Sequence, residues 1–199
     1  DRITRPEQII QSFPAAVQTM LDPADCGPAC IALSQDIQGQ TFDYPEEFFK
    51  EKIHAIRRPR PDEFQIKEAA EKIKSSKNPI IISGGGVFYS DAMEELSNFA
   101  VKHNIPVTQT VMGYSTMKRD HSHYAGQIGG LGGKNTNSLA KQTDLAIAVG
   151  TKLADFTTGS WANFENENFQ LVSINVSRFD ANKHLAQAVV GDAKVSLDE

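Results

Sequence analysis

The stretch Pro79-Ile80-Ile81-Ile82-Ser83-Gly84-Gly85-Gly86 decides the fold, because it joins a run of isoleucines directly to three glycines. Apolar side chains at successive positions are typical of a strand that is buried on both faces, as in a parallel sheet. The run predicts a strand at residues 79–83, and similar patterns predict strands at residues 105–109 and 145–149, and further strands at 171–176 and 188–190. The sequence therefore predicts a mostly parallel sheet.

Helical patterns lie between these strands. Asp62 can cap a helix that carries Ile66 and Ile73, and Asp91 with Glu94 can open a second helix. A further short helix is expected near residues 137–141. Strands that alternate with helices indicate a parallel sheet covered on both faces, so the predicted fold class is a doubly wound α/β domain.

The composition limits the class of protein and its partners. The chain has 199 residues, with 25 acidic against 20 basic side chains and a formal charge of -5. This balance gives no broad basic surface for nucleic acid or for an anionic membrane. No apolar run approaches the roughly 20 residues that span a bilayer. We therefore expect a soluble, cytoplasmic protein whose partners are small molecules or other protein surfaces.

Cysteine usage agrees with that expectation. Cys26 and Cys30 are the two cysteines of the chain. They are too few for a disulfide scaffold, and a zinc site would need further ligands. The sequence therefore predicts two reduced, packed thiols.

The first part of the chain forms a separate region in the prediction. It contains one helix, with a kink or break expected at Pro14, and one buried strand at residues 29–33. A single helix and strand cannot bury both their faces, so they should belong to a neighbouring domain. A polar, Pro-rich stretch that ends at Pro61 follows, and it is typical of a linker.

The predicted domain boundaries follow from these patterns. Residues 1–40 are the end of a preceding domain, residues 41–61 are a linker, and residues 62–199 are the α/β domain. The chain starts without Met and stops without a closing element, which predicts a piece of a longer protein.

Glycines mark the candidate ligand site. Nine of the 14 glycines lie between residues 84 and 133, in segments that follow predicted strands. Ligands of a doubly wound sheet bind beyond the carboxyl ends of its strands, and glycine lets backbone amides approach a phosphate or a ring closely. A standard NAD site is disfavoured, because Tyr89 stands where the G-x-G-x-x-G motif has its last glycine. Gly132-Gly133-Lys134-Asn135 also lacks the Ser or Thr of a nucleoside triphosphate loop.

Two other groups of polar residues carry less information. His121 and His123 have no cysteine or carboxylate cluster nearby, so two loop histidines are the better interpretation than a metal site. Residues 155–161 follow the strand at 145–149, and they either line a cleft or form a capped loop around a packed Trp161.

Several segments together resemble the central domain of thiamine-diphosphate-dependent enzymes of the acetohydroxyacid synthase and pyruvate oxidase type. These segments are residues 79–87, 105–110, 144–151, 158–159 and 190–193. The resemblance covers nearly the whole chain and implies a Rossmann-like central domain. It also implies that residues 27–36 contain the last strand of a preceding pyrimidine-binding domain.

Finer similarities point to one reaction within that family. Residues 44–49, 155–161 and 175–180 resemble members that hydrolyse a carbon–carbon bond of a cyclic 1,2-diketone in myo-inositol breakdown. The resemblance implies a homo-oligomeric enzyme that uses thiamine diphosphate and Mg²⁺. In the family, the activating glutamate and the metal-binding motif belong to the other domains. We therefore expect no catalytic or metal-binding residue in this chain, and no turnover by the chain alone.

The resemblance also implies a position for a nucleotide, because some relatives hold FAD or ADP in the central domain. The residues nearest to such a ligand, in what we expect to be a vestigial nucleotide site, are Gly84, Gly85, Gly86, Thr110, Gly113, Thr151 and Asp155. Many relatives carry Gly-Lys-Gly where this chain has Met112-Gly113-Tyr114-Ser115. Two alternatives stay open: a stand-alone FAD- or ADP-binding module, and a fragment of an acyl transferase similar to acetohydroxyacid synthase.

Overall fold

The computed structural model describes all 199 residues, which divide into two compact units, Asp1–Arg57 and Arg58–Glu199. The smaller unit contains β1 (Arg2–Ile3), α1 (Ile9–Leu21), β2 (Ala32–Leu33) and α2 (Gln35–Gln38), and 3₁₀ turns at Pro6–Gln8 and Glu46–Phe49. Strands β1 and β2 pair in parallel over two residues each. Within this unit the buried apolar side chains are Ile3 and Ile37.

Two predictions for the smaller unit are wrong in detail, and one is narrowed. Helix α1 runs through Pro14, so of the predicted kink or break the break does not occur. The strand predicted at residues 29–33 is only Ala32–Leu33, and it is exposed because β1 is its single neighbour. Cys26 and Cys30 are free thiols, but they are exposed rather than packed.

The larger unit contains a sheet of six strands in which every neighbouring pair is parallel. The strand order is β5-β4-β3-β6-β7-β8. The elements in chain order are α3 (Glu63–Ser75), β3 (Pro79–Ser83), α4 (Gly85–Tyr89), α5 (Met93–His103), β4 (Val107–Gln109), β5 (Tyr124–Gln127), α6 (Lys134–Gln142), β6 (Leu145–Val149), α7 (Asp155–Thr158), β7 (Gln170–Asn175), α8 (Arg178–Ala181), β8 (Gln187–Val190) and α9 (Ala193–Asp198). The predicted doubly wound α/β fold is confirmed.

Local sequence explains where these helices begin and end. The Asp62 carboxylate accepts a hydrogen bond from the Phe64 amide at 2.9 Å, so it caps α3 as the sequence predicts. Helix α5 starts at Met93 rather than at Asp91, whose φ of 54° is left-handed and lies outside the helix. It ends at Asn104, which adopts the left-handed conformation that commonly terminates helices.

Two apolar layers cover the two faces of the sheet. Ile81 on β3 belongs to one layer, while its neighbours Ile80 and Ile82 belong to the other. The first layer also contains side chains from α3, α4, α5 and α9, and the second contains Ala140 of α6 and the partly buried Trp161. Because β3 is buried on both faces, its residues form a continuous apolar run in the sequence.

The chain order of the strands creates a switch point between β3 and β6. Strand β3 is the first strand of this sheet in chain order. Strands β4 and β5 extend the sheet to one side of β3, and β6, β7 and β8 extend it to the other. Ser83 pairs with both Gln109 and Val149, so β3, β4 and β6 end at the same level. The loops after these three strands therefore converge at the carboxyl edge, which is where ligands bind in sheets of this kind.

Candidate functional site

The carboxyl edge brings together all the residues predicted for the nucleotide site. Gly84, Gly85 and Gly86 follow β3, Thr110 and Gly113 follow β4, and Thr151 and Asp155 follow β6. Because β3 lies between β4 and β6 in the sheet, the loop after β3 contacts both the loop after β4 and the loop after β6. The sequence therefore predicted the position of the candidate site. What the site can bind depends on the contacts between these loops.

The glycines at the switch point serve close backbone packing. A Cβ atom added to Gly84 would lie 2.5 Å from the Cβ of Thr151, and one added to Gly86 would lie 2.6 Å from the Cα of Gly150. Gly150 itself has a φ of 60°, a conformation that favours glycine. The loops after β3 and β6 are therefore in backbone contact, and any added side chain would force them apart.

The amide groups of these loops are largely engaged. The Gly84 amide donates to the Val149 carbonyl at 2.9 Å, and the Gly86 amide donates to the Gly150 carbonyl at 2.9 Å. The Gly113 amide donates to the Thr110 carbonyl at 3.0 Å. A phosphate would have to compete with these carbonyl oxygens, so the arrangement favours packing of the loops over an anion cradle.

A buried polar network lies beneath the loop that follows β4. The side-chain amide of Gln109 donates to the Thr116 hydroxyl at 3.2 Å and to the Met117 carbonyl at 3.0 Å. The Thr116 hydroxyl donates to the Gly113 carbonyl at 2.7 Å and lies 2.5 Å from the Ser83 hydroxyl. Each of these buried polar groups has a partner, so the network holds the loop in one conformation.

Sequence reasoning missed this network. Its only signal was a polar residue, Gln109, at the end of a buried strand, and Thr116 lies seven positions further along the chain.

The loop after β6 is also held by hydrogen bonds, but it leaves one carboxylate in solvent. Thr151 is buried, and its carbonyl accepts from the Asn175 side chain at 3.2 Å. Asp155 begins α7 and is exposed. The Gly130 amide donates to the Phe156 carbonyl at 2.8 Å, which joins α7 to the glycine-rich loop after β5. Asp155 is therefore the one carboxylate that the predicted site contains.

The histidines form no metal site. His121 accepts a hydrogen bond at Nδ1 from the His123 amide at 3.1 Å, and its Nε2 lies 3.0 Å from the Ser97 hydroxyl. The His123 Nε2 lies 3.1 Å from the Asn104 side-chain oxygen. No group of three His, Cys, Asp or Glu side chains in the chain could hold a metal ion. Both histidines lie in the turn that precedes β5, and their ring nitrogens face hydroxyl, amide and backbone groups.

Trp161 packs rather than lining an open cleft. Its ring lies 5.5 Å from the ring of Phe164 and 4.4 Å from that of His184, measured between centroids, and it contacts the second apolar layer. Of the two interpretations of residues 155–161, the capped loop around a packed tryptophan is the one the contacts favour.

The clearest electrostatic feature lies away from the carboxyl edge, just before β6. Burial raises the pKa of the Asp144 carboxyl, but hydrogen bonds from the Ser76 hydroxyl and from the amides of Lys77 and Asn78 outweigh it. The net result is a pKa below the ordinary value of 3.8. Asp144 therefore ties the end of α3 to the start of β6 and takes no part in the candidate site.

Comparison with solved structures shows the class of protein that has this fold. The chain is similar to benzoylformate decarboxylase from Polynucleobacter necessarius, with a TM-score of 0.78 and 21% identity, over 100% of this chain and 36% of that one. It is also similar to an enzyme from Mycobacterium smegmatis described as thiamin diphosphate-dependent, with a TM-score of 0.75 and 21% identity, over 99% of this chain and 37% of that one. The fold is that of a domain found in thiamin-dependent enzymes.

Residues 66–199 match the family described as thiamine pyrophosphate enzyme, central domain, and the chain belongs to that family. The family resemblance stated from the sequence is confirmed.

Curated relatives are similar over nearly the full chain. The chain is 45% identical to a 3D-(3,5/4)-trihydroxycyclohexane-1,2-dione hydrolase of Clostridium perfringens over 199 residues, which is 100% of this chain and 31% of the relative. The corresponding hydrolases of Clostridium tetani and Bacillus licheniformis are 46% and 45% identical, over 100% and 99% of this chain and 31% of each relative. The chain thus spans about a third of the length of these relatives.

The residues of this chain do not fit the cofactor that the family name implies. A magnesium–diphosphate site needs oxygen ligands that converge on one point. The chain has no such cluster of His, Cys, Asp or Glu side chains, and the residues predicted for the site are glycines, two buried threonines and Asp155, which carries their single carboxylate. We therefore assign no step of thiamine chemistry to these residues.

No helix of the structure has both the length and the apolar character that crossing a membrane requires.

Proposed function

We propose that this chain is the central domain of a larger thiamine-diphosphate-dependent hydrolase that opens trihydroxycyclohexane-1,2-dione in myo-inositol degradation. The observation that carries the proposal is the 45% identity over all 199 residues to a relative with that activity in its name. Likeness of the fold alone would leave the reaction open, because one fold hosts many activities.

The proposed reaction balances without an external oxidant or reductant. Water is consumed, the bond between the two adjacent carbonyl carbons breaks, and a C–O bond forms at one of them while a C–H bond forms at the other. One carbon is oxidised to a carboxylate and the other is reduced to an aldehyde. Thiamine diphosphate with a divalent metal, proposed here as Mg²⁺, would supply the electron sink, and its ligands would come from the other domains.

The carboxyl edge of this chain is proposed to be a vestigial nucleotide site, formed by Gly84, Gly85, Gly86, Thr110, Gly113, Thr151 and Asp155. Two observations support this: the loops after β3 and β6 are in backbone contact, and three of the relevant amides already donate to carbonyl groups. The loops would then keep the position that a nucleotide-binding site has in such a sheet, but these three amides would not be free to bind FAD or ADP.

The smaller unit is proposed to be the end of a preceding pyrimidine-binding domain over residues 1–40, with a linker at residues 41–61 before the central domain at 62–199. Helix α1 is rich in apolar side chains, yet none of its residues is buried. A helix of that composition is normally covered by other elements. Two-stranded parallel sheets are also not stable alone, so strands β1 and β2 support the same assignment.

The last residues of the proposed linker are held by the larger unit. The Asp192 amide donates to the Pro59 carbonyl at 2.8 Å, and the Arg58 guanidinium lies 3.2 Å from the Asp192 carboxylate. Asp192 also caps α9 through the Lys194 amide. We propose that this contact fixes the point at which the linker enters the central domain.

The remaining parts of the proposal concern partners and location. The complete enzyme is proposed to act on a small molecule as a homo-oligomer in the cytoplasm, without nucleic acid or membrane. The acidic composition, with a formal charge of -5, supports the exclusion of polyanionic partners.

The test is to assay the complete enzyme with thiamine diphosphate and Mg²⁺ on the cyclic dione and, separately, on pyruvate. The proposal expects consumption of the dione to an open-chain carboxylate and no acyl transfer from pyruvate. Acyl transfer without ring opening would overturn it in favour of an enzyme similar to acetohydroxyacid synthase. The 199-residue chain alone should give no turnover, because it contains no metal cluster.

A further inference from the structure

A group of large apolar side chains is exposed at the carboxyl edge of the sheet. We call it the edge patch, and its members are Phe88, Tyr89, Val111, Met112 and Tyr114. Their exposed fractions range from 43% for Val111 to 78% for Tyr89. Three aromatic and two aliphatic side chains at such exposure present roughly 400 Å² of apolar surface, the size at which exposed patches mark interaction sites.

Met112 and Tyr89, which lie on two different segments of the edge patch, approach each other at Gly85. The Cβ of Met112 and a ring carbon of Tyr89 both lie 3.6 Å from the position that a Cβ at Gly85 would occupy. The rings of Phe88 and Tyr89 meet edge to face, with centroids 5.9 Å apart. The patch therefore joins side chains of α4 to side chains of the loop after β4.

Hydrogen bonds and close backbone packing hold the loops that carry the edge patch. The buried network of Gln109, Thr116 and Ser83 fixes the loop that carries Met112 and Tyr114. The close approach of Gly86 to Gly150 closes the space between the loops after β3 and β6. An exposed apolar surface on loops held in this way suits another polypeptide surface better than a small ligand, which binds in a cleft.

An unpaired cation borders the patch. The Arg119 guanidinium lies 5.5 Å from the centroid of the Tyr114 ring and donates to the Tyr114 hydroxyl at 3.2 Å. Arg119 forms no ion pair, whereas Arg58 and Arg60 both pair with carboxylates. A guanidinium stacked on an aromatic ring keeps donors free for a planar acceptor such as a carboxylate.

From these observations we infer that the edge patch is the docking surface for another domain of the same, longer polypeptide, which presents an apolar surface and a carboxylate that meets Arg119. The chain covers 31% of its curated relatives, so about two thirds of each relative lies outside the matched part. The inference rests on the part of the proposed function that places this chain in a longer enzyme, and it does not depend on the reaction.

The test measures how fast single cysteines react with a maleimide in the complete protein, in a background in which every natural cysteine, Cys26 and Cys30 included, is replaced by serine. Met112→Cys and Tyr89→Cys probe the patch, and Lys67→Cys on the exposed side of α3 is the matched control. The inference expects both patch cysteines to react at least about tenfold more slowly than the control in the native protein, and equally fast in denaturant. Because this readout needs no turnover, an enzyme that fails to open the dione can still show the protection.

Three results would overturn the inference. Patch cysteines that react as fast as Lys67→Cys show that nothing covers the patch. Protection that disappears on about hundredfold dilution shows that a second copy of the chain covers it. Protection that appears only after FAD or ADP is added shows that a nucleotide covers it.

A charge reversal tests the predicted carboxylate. Arg119→Glu should raise the labelling rate of Met112→Cys several-fold, whereas Arg178→Glu, at an exposed arginine that also forms no ion pair, should leave the rate unchanged. Equal rates in the two variants would show that no carboxylate of the docked domain meets Arg119.

Discussion

Replacement of Gly86 by alanine should destabilise the protein through backbone overpacking at the switch point. The new Cβ would lie 2.6 Å from the Cα of Gly150, and a second backbone atom of Gly150 lies 3.0 Å away. Neither neighbour is a flexible side-chain end, so the loops after β3 and β6 must separate. Such overpacking costs about 1–3 kcal/mol, and here the upper half of that range applies because backbone has to move.

The matched control is Gly133→Ala, since the nearest atom to a Cβ there is the Thr136 hydroxyl at 3.8 Å. This control should change the free energy of unfolding by less than about 0.5 kcal/mol. Thermal unfolding followed by circular dichroism should show a Tm lower by about 4–10 °C for Gly86→Ala and nearly unchanged for Gly133→Ala. Equal Tm values for the two variants would refute the packing role assigned to the switch-point glycines.

Three further predictions concern single contacts. Asp144→Asn should lower the free energy of unfolding by about 2 kcal/mol at neutral pH in urea titrations. The folded pKa of Asp144 lies below 3.8, so its contribution to the free energy of unfolding is complete above that pH and is lost as the pH falls through the lowered pKa. If the stability difference between Asp144→Asn and the natural protein stayed the same at lower pH, that would contradict this. Thr116→Val removes a partner from Gln109 and should cost about 1–3 kcal/mol, and an unchanged urea midpoint would show that the network is dispensable. Isothermal titration with FAD and with ADP should give no binding heat, and micromolar binding of either would restore the nucleotide-module interpretation.

The central strands were predictable because burial on both faces leaves a direct trace in the sequence. Strand β3 was predicted with its observed bounds, and β6 likewise, since each is an unbroken apolar run between two apolar layers. Strand β5 was missed, because its residues Tyr124–Gln127 include a glycine and are only half-buried at the edge of the sheet. An edge strand with one neighbour has no need of the pattern that reveals a central strand.

The position of the candidate site could be predicted from the sequence, but its ability to bind a ligand could not. Glycines after β3 and β4, together with Thr151 and Asp155 after β6, predicted the position of the site, because topology alone brings those loops to one edge. Whether the amides of these loops are free to bind a ligand depends on tertiary contacts. One example is the hydrogen bond from the Gly86 amide to the Gly150 carbonyl, which joins residues 64 positions apart. The short helix α4 was missed for the same reason, since a run that begins with two glycines carries little helical preference of its own.

The most direct test of the central claim is the fate of oxygen from labelled water during turnover of the cyclic dione by the complete enzyme. The account predicts an open-chain product whose new carboxylate carries an oxygen atom from the labelled water, as mass spectrometry would show. A product formed without labelled oxygen, or one in which an acyl group has moved to a second carbonyl compound, would contradict the assignment of this chain to a carbon–carbon bond hydrolase.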